Sequence, residues 1–431
     1  MRRKIISSLT AFALLTGGIA GIAGTVGYSS AKAAQDASNF KDVPASHWGA
    51  TAIYSAVEQG YFKGYTDGTF KPGAPVTKAE MASILARLTD QPELPTPEPN
   101  NFTDVPEWAK SSVSTAIAKG FIHPSSYKGK LDAQAPLSRG EMAVWLTQGL
   151  SVVNSDYRQA LSDVTNTVIP AKEYFTGKLA DSHKNAIAVA LGTGLMSVAN
   201  DKTFGVYRTT TRAEVAVLIA GYASTAQTKP SDIQGLNELR QVGLTGTNLS
   251  VITKSFHKTP EKKILLSSNQ KYEDVVTDDF SFVRNKDIVT LTNYADLKIL
   301  NWIIVDTHVS NDKRSIYYPV FVDEGAKLQS GRHFSFVEFK LNIKSESMSQ
   351  LQAGSLLGSA TFNPLFSPRS KVFLSYGGPK ISDYFAKTKA IFIVKNPVYW
   401  SEGLLHANST TARTLTLETK GGTVFSINYT D

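Results

Sequence analysis

Three short stretches constrain the local structure of this chain more than anything else in it: Thr77-Lys78-Ala79-Glu80, Ser138-Arg139-Gly140-Glu141 and Thr211-Arg212-Ala213-Glu214. Each places a hydroxyl residue, a base, a small residue and a glutamate ahead of an apolar run: Met81 to Leu88, Met142 to Leu150 and Val215 to Tyr222. A hydroxyl followed three residues later by Glu is a capping box. The hydroxyl accepts from an amide of the first helical turn, and the carboxylate reaches back to the cap amide. Thr77, Glu80, Ser138, Glu141, Thr211 and Glu214 are therefore expected to cap three helices. The base has no such role, because a cation in the first turn faces the positive end of the helix dipole, at a cost of roughly 0.3 kcal/mol or more. An unfavourable choice made three times implies that Lys78, Arg139 and Arg212 serve something beyond the helix. A helix N-terminus with an added cation is suited to holding an anion.

Residues 1–33 read as an export signal. Arg2, Arg3 and Lys4 precede a Gly-rich apolar stretch from Leu9 to about Val26, and Ala31-Lys32-Ala33 fits a small-x-small cleavage pattern. The rival reading, a membrane anchor, is weakened by Gly17, Gly18, Gly21, Gly24 and Gly27. No later stretch approaches the roughly 18 apolar residues that span a bilayer, so no membrane contact is expected after cleavage. The chain has no cysteine, which removes disulfides, thiolate chemistry and Cys-ligated metals. A net charge of +8 favours acidic partners, and for an exported chain these are anionic wall polymers rather than nucleic acid.

The boxes close three copies of one longer unit. The first runs Phe40-Lys41-Asp42-Val43-Pro44, His47-Trp48, a helical stretch to Gly60, then Tyr61-Phe62-Lys63-Gly64-Tyr65-Thr66-Asp67-Gly68-Thr69-Phe70. Thr66-Asp67-Gly68-Thr69 reads as a tight turn with Gly68 at positive φ. The second repeats Phe102-Thr103-Asp104-Val105-Pro106, Trp108 and a helix to Gly120. The third has Leu161-Ser162-Asp163-Val164, an inserted stretch from Thr165 to about Leu179, and a helix from Ser182 to Leu191. Asp42 and Thr77 are 35 residues apart, Asp104 and Ser138 34, Asp163 and Thr211 48, the insertion accounting for the last.

On these residues the chain resembles the S-layer homology family, whose pattern is Phe-x-Asp-Val, Trp-Ala, Gly-Tyr-x-Asp-Gly-Thr-Phe-x-Pro and Thr-Arg-Ala-Glu. The first unit matches nearly throughout, with Lys78 for Arg. The second lacks the Gly-Tyr-x-Asp-Gly-Thr-Phe turn, and the third lacks the Trp and has a degenerate turn. The resemblance implies a mainly helical pseudo-threefold module: repeat one at 34–90, a Pro-rich connector at 91–101, repeat two at 102–155 and repeat three at 156–226. It also implies residence at the cell wall or surface layer of a Gram-positive bacterium. The implied ligand is a secondary cell wall polysaccharide with pyruvylated amino sugars, bound between repeats. A pyruvate ketal carries a carboxylate, which Arg139 and Arg212 could grip with two donors and Lys78 only as a point charge.

For the remaining candidate site residues two readings stand side by side. Asp42, Asp104 and Asp163 either cap a turn or accept from sugar hydroxyls. Trp48 and Trp108 are either core or sugar platforms. Gly64 serves either the turn or close approach of a ligand.

From residue 227 the helical pattern fades. Ala223 to Ser231 reads as a linker. Strands are expected at Lys263–Leu266, Ile288–Thr292, Leu300–Val305, Ile316–Val322, Phe334–Ile343, Lys371–Tyr376, Ala390–Lys395, Thr414–Thr419 and Thr423–Tyr429. Lys420-Gly421-Gly422 reads as a hairpin turn, and alternation slips between Phe336 and Val337 as at a bulge. The expectation for 227–431 is an all-β region of one or two sandwiches. No catalytic residue, cofactor or metal is assigned. Asp306-Thr307-His308, with His333 or His406, is a weak metal pattern. Glu273, Asp274, Asp278 and Asp279 read as a solvated acidic loop, and Tyr317, Tyr318, Tyr399 and Trp400 as either partner contacts or half-buried sheet positions. The resulting reading is a non-catalytic wall-anchored surface protein that displays a structural or adhesive β region, alongside other surface-layer proteins or copies of itself. The alternative is a wall-anchored hydrolase.

Overall fold

The computed structural model describes residues 40–266, 269–310, 314–345, 348–386, 391–406 and 414–429. The export signal expected over residues 1–33 lies outside them. Among the described residues no helix is long and apolar enough to cross a membrane. The chain forms two compact units: 40–162, 180–200 and 204–233 make the first, and 163–179, 201–203 and 234 onward make the second.

Among the described residues up to 226, the α-helices are α1 (Ala50–Glu58), α2 (Lys78–Ala86), α3 (Glu107–Ala118), α4 (Arg139–Val153), α5 (Ser155–Asp163), α6 (Lys172–Phe175), α7 (Asp181–Gly192) and α8 (Arg212–Ala226). Each of α2, α4 and α8 starts with a complete capping box, on Thr77/Glu80, Ser138/Glu141 and Thr211/Glu214. α2 buries Lys78, Ala79, Met81, Ala82, Ser83, Ile84 and Leu85, nearly its whole circumference, as an interior helix does. Each box helix packs on a helix of the following repeat that precedes the next box: α2 on α3, α4 on α7, and α8 on α1, which closes the circle.

The segments ahead of the boxes close a second, tighter ring of backbone bonds. The Val76 amide donates to the Thr210 carbonyl (3.0 Å), Thr210 to Leu137 (3.0 Å) and Leu137 back to Val76 (2.8 Å). Three repeats placed head to tail around an axis satisfy one another's extended backbone, which a single repeat could not do for itself. The Pro-rich connector is packed between repeats: Leu94 donates to the Ala118 carbonyl at 2.7 Å, and the Gln91 side chain is buried. The expected linker after Tyr222 is helical for most of its length, since α8 continues to Ala226 and a 3₁₀ turn follows at Pro230–Asp232.

The second unit is not all-β. It holds two four-stranded sheets together with α6 and α9 (Gln234–Thr245), α10 (Leu249–Ile252), α11 (Tyr272–Val275), α12 (Tyr318–Phe321), α13 (Gln350–Gly354) and α14 (Lys371–Tyr376). Its strands are β1 (Phe256–Lys258), β2 (Val276–Thr277), β3 (Asp287–Ile288), β4 (Ala295–Val305), β5 (Arg332–Ile343), β6 (Val398–His406), β7 (Leu415–Glu418) and β8 (Val424–Tyr429). One sheet is antiparallel in the order β3-β4-β5-β6. The other is built on β8, which pairs antiparallel with β1 and β7 and parallel with β2. The turn at Lys420–Gly422 joins β7 to β8, with Gly422 at φ 88°.

Two expected strands are helices. At Ile316–Val322, Pro319 removes a ladder donor and sits inside the short α12. At Lys371–Tyr376, Ser370 caps α14 from the front and Gly377, at φ 71°, ends it. No strand forms at Lys263–Leu266, and β6 arises where none was expected. The register irregularity lies on β4, between Ile299 and Asn301, not on β5. The slip in alternation at Phe336 and Val337 reflects burial of both, at 1% exposure each. Tyr317, Tyr318, Tyr399 and Trp400, weighed as partner contacts or half-buried positions, are all buried.

Candidate functional site

The three bases are the residues that sequence reasoning singled out, and the structure gives each a definite target in the next repeat. Arg212 donates from Nε to the Phe70 carbonyl (2.8 Å) and from Nη2 to the Lys63 carbonyl (2.9 Å). Arg139 does the same one repeat along, from Nε to the Phe204 carbonyl and from Nη2 to the Ser197 carbonyl, both at 2.9 Å. Lys78 meets a carboxylate: its Nζ lies 2.6 Å from Oε1 of Glu141 and 5.8 Å from the centre of the Tyr127 ring. Lys78 and Arg139 are 7% and 8% exposed, whereas Arg212 is only half-buried. The unfavourable first-turn cation is thus explained in large part within the fold, as a staple between repeats.

The helix N-termini themselves are occupied. The amides of Lys78 and Ala79 donate to Ala135 and Ala133, those of Arg139 and Gly140 to Arg208 and Val206, and those of Arg212 and Ala213 to Ala74 and Pro72. The next amide in each helix donates to the capping hydroxyl. These first-turn amides are therefore not open to an anion, as the sequence had suggested they would be; only side chains are offered at the junctions.

Asp42 and Asp104 serve the turns. Asp42 accepts from the Phe70 and Lys71 amides at 2.8 Å each, and Asp104 from Leu131 (2.9 Å) and Ala133 (3.2 Å). Asp104 is held below the usual carboxylate range: burial acts upward, and the Leu131 and Ala133 amides outweigh it. Asp163 departs from this pattern. It lies in the second unit, where it pairs with Arg240 at 2.9 Å. Trp48 and Trp108 are not core: they are 50% and 59% exposed, and the Trp48 ring stacks on His47. Gly64 is fixed by packing, since a Cβ there would lie 2.2 Å from the Phe40 ring.

The first repeat's turn carries features the sequence analysis had not assigned to the site. Arg212 lies over the rings of Phe62, Tyr65 and Phe70, 4.5 to 5.0 Å from their centres, and burial pushes its pKa down. Lys71 lies 4.0 Å from the centre of the Tyr65 ring. A shallow depression of about 380 Å³ opens here, bordered by Phe40, Val57, Phe62, Lys63, Gly64 and Tyr65. Lys63 and Tyr65 stand in the Lys-Gly-Tyr stretch of the turn motif, which was the available sequence signal.

In the second unit Asp306 accepts from the His308 backbone and lies 3.0 Å from His308 Nδ1 and 3.7 Å from His333 Nδ1. Among the described residues no group of three or more His, Asp or Glu is arranged to hold a metal. In the acidic loop, Asp279 caps a 3₁₀ turn through the Ser281 amide.

Residues 39–82 and 101–143 match the model of the S-layer homology domain family. It is 34% identical over 119 residues to the cellulosome-anchoring protein of Acetivibrio thermocellus, 26% of each chain. It is 35% identical over 125 residues to the surface-layer 125 kDa protein of Lysinibacillus sphaericus, 27% of this chain and 10% of that one. A longer, weaker match, 24% over 273 residues, links 62% of the chain to 31% of the S-layer protein sap of Bacillus anthracis. The matches thus span at most about a third of these relatives' lengths.

Proposed function

We propose that the first unit anchors this chain non-covalently at the wall of a Gram-positive bacterium by binding a secondary cell wall polysaccharide with pyruvylated amino sugars. The second unit is then held at the cell surface as a non-catalytic structural or adhesive module, in company with other surface-layer proteins or further copies of this chain. The names of the relatives support the location. The observation that carries the ligand reading is Arg212: a half-buried guanidinium over the Phe62 and Tyr65 rings, which also wall a depression edged by Lys63. A guanidinium held by two carbonyls is fixed in place, and charge-assisted donation to a pyruvate carboxylate is the strong interaction such a group offers. Exposed Trp48 and Trp108 add flat faces of the kind that pack on sugar rings.

The test is sedimentation of the chain lacking residues 1–33 with purified walls. Intact walls are expected to carry it down. Walls from which the polysaccharide has been chemically released are expected to leave it in the supernatant. Equal sedimentation with both would remove the reading.

A further inference from the structure

The three junctions between repeats follow one backbone plan, but their side chains differ. We infer that a single junction, the one where Arg212 enters the first repeat's turn, takes the anionic saccharide, and that the Lys78 junction is a closed structural staple. This rests on the polysaccharide reading above and narrows it to one site per chain.

Matched hydrogen bonds align the junctions residue by residue. Arg212 contacts the Lys63 and Phe70 carbonyls as Arg139 contacts those of Ser197 and Phe204. Where the first repeat has Lys63, Gly64 and Tyr65, the third has Ser197, Val198 and Ala199. The Arg139 junction therefore lacks the base, the glycine and the aromatic ring that border the depression at the Arg212 junction. At the Lys78 junction the cation already has its anion. The Lys78–Glu141 pair spans 2.6 Å with side chains 9% and 23% exposed, so an incoming carboxylate would have to displace a carboxylate already held by the cap.

Arg212 is different. Among the described residues its Nη1 makes no hydrogen bond, and its side chain has no ion-pair partner. Lys63 likewise has no acidic partner among them, while Lys41 and Lys71 edge the same turn. Three carboxylates share the neighbourhood, each holding a local turn or cap, and Glu80 and Asp42 also act on Arg212 through space. Asp42 accepts two backbone amides, Asp67 accepts from Thr69, and Glu80 accepts from its cap residue. The four bases Arg212, Lys63, Lys41 and Lys71 outnumber these three carboxylates by one, and that excess positive charge lies beside an aromatic wall, which suits a carboxylate-bearing sugar.

The experiment is calorimetric titration of the chain lacking residues 1–33 with a monovalent probe, the methyl glycoside of a pyruvylated N-acetylhexosamine. One site per chain is expected. Lys63→Ala and Tyr65→Ala, both at surface positions, should each weaken binding, and Arg212→Lys should weaken it about tenfold or more, since a lysine cannot donate from several fixed nitrogens. Lys78→Met should bind within about twofold of the parent, with folding checked by thermal melting. Two or three sites in the parent protein would overturn the inference whatever the variants do. Loss of binding in folded Lys78→Met, or unchanged binding in both Lys63→Ala and Tyr65→Ala, would overturn it as well. Failure of the parent protein to bind the probe at all would instead sink the polysaccharide reading and the inference with it.

Discussion

Gln91 shows how much a single side chain can hold. It lies in the connector, 6% exposed, and donates from Nε2 to the Lys119 and Gly149 carbonyls at 3.1 Å each. Its Oε1 accepts from the Tyr222 hydroxyl at 2.5 Å. The side chain thus joins the connector to parts of the second and third repeats. Replacing it with Leu strands two carbonyls and a phenol in the interior, so Gln91→Leu is expected to lower stability by about 1–3 kcal/mol in urea unfolding. Nothing in a Pro-rich run announces this, because the partners lie 28 to 131 positions away in sequence. The bases were legible as residues out of place, but their targets were not. A first-turn cation looks the same in sequence whether it faces a ligand or a carbonyl 58 to 149 residues away. Only the fold separates Lys78, paired inside the protein, from Arg212, which keeps a donor to spare.

At the scale of elements, the helices were readable where their signals are local. A capping box completes itself within four residues, and all three helices it marks are present. Ser138→Ala should cost about 1 kcal/mol, measured by denaturant unfolding, because the Glu141 amide loses its acceptor at the start of a 15-residue interior helix. In the second unit the signals compete. Short apolar runs fit strand and helix alike, and α14 differs from a strand only through its flanking Ser370 and Gly377. The two sheets are also linked electrostatically. Asp296 on β4 is held at about 2, below the usual carboxylate value, first by Lys344 at 2.8 Å and then by Lys420 in the β7–β8 turn. A depressed acid stabilises the fold above its unfolded value and ceases to do so as pH falls through the folded one. Stability from this group should therefore fade between about pH 4 and pH 2. The Asp296→Asn variant should show a smaller loss of urea midpoint between pH 5 and pH 2.5 than the parent protein.

For the molecule as a whole, the division of the chain is the largest departure from what the sequence suggested. Three repeats followed by a separate region is a linear plan, yet residues 163–179 fold with the second unit. Val168 and Ile169 are buried there, and Phe175 stands among Phe321, Phe373, Tyr376 and Trp400 at 5.9 to 6.3 Å between ring centres. An insertion looks like a loop in sequence because its apolar residues answer to distant partners, those of Phe175 lying 146 to 225 positions downstream. A fragment ending at residue 233 would leave them uncovered, and light scattering should find it aggregated under conditions where the chain lacking only residues 1–33 is dispersed. A dispersed, folded fragment would contradict that assignment.

The central claim is that this molecule holds a carboxylate-bearing wall glycan through a cationic junction. Its most direct test is a pair of calorimetric titrations of the chain lacking residues 1–33, with soluble wall polysaccharide before and after chemical removal of its pyruvate. Losing one charge-assisted contact should weaken binding about tenfold or more, and the native titration should be sensitive to salt. Equal affinity for the two polymers would contradict the account, because the bases at the junction would then have no anion to hold.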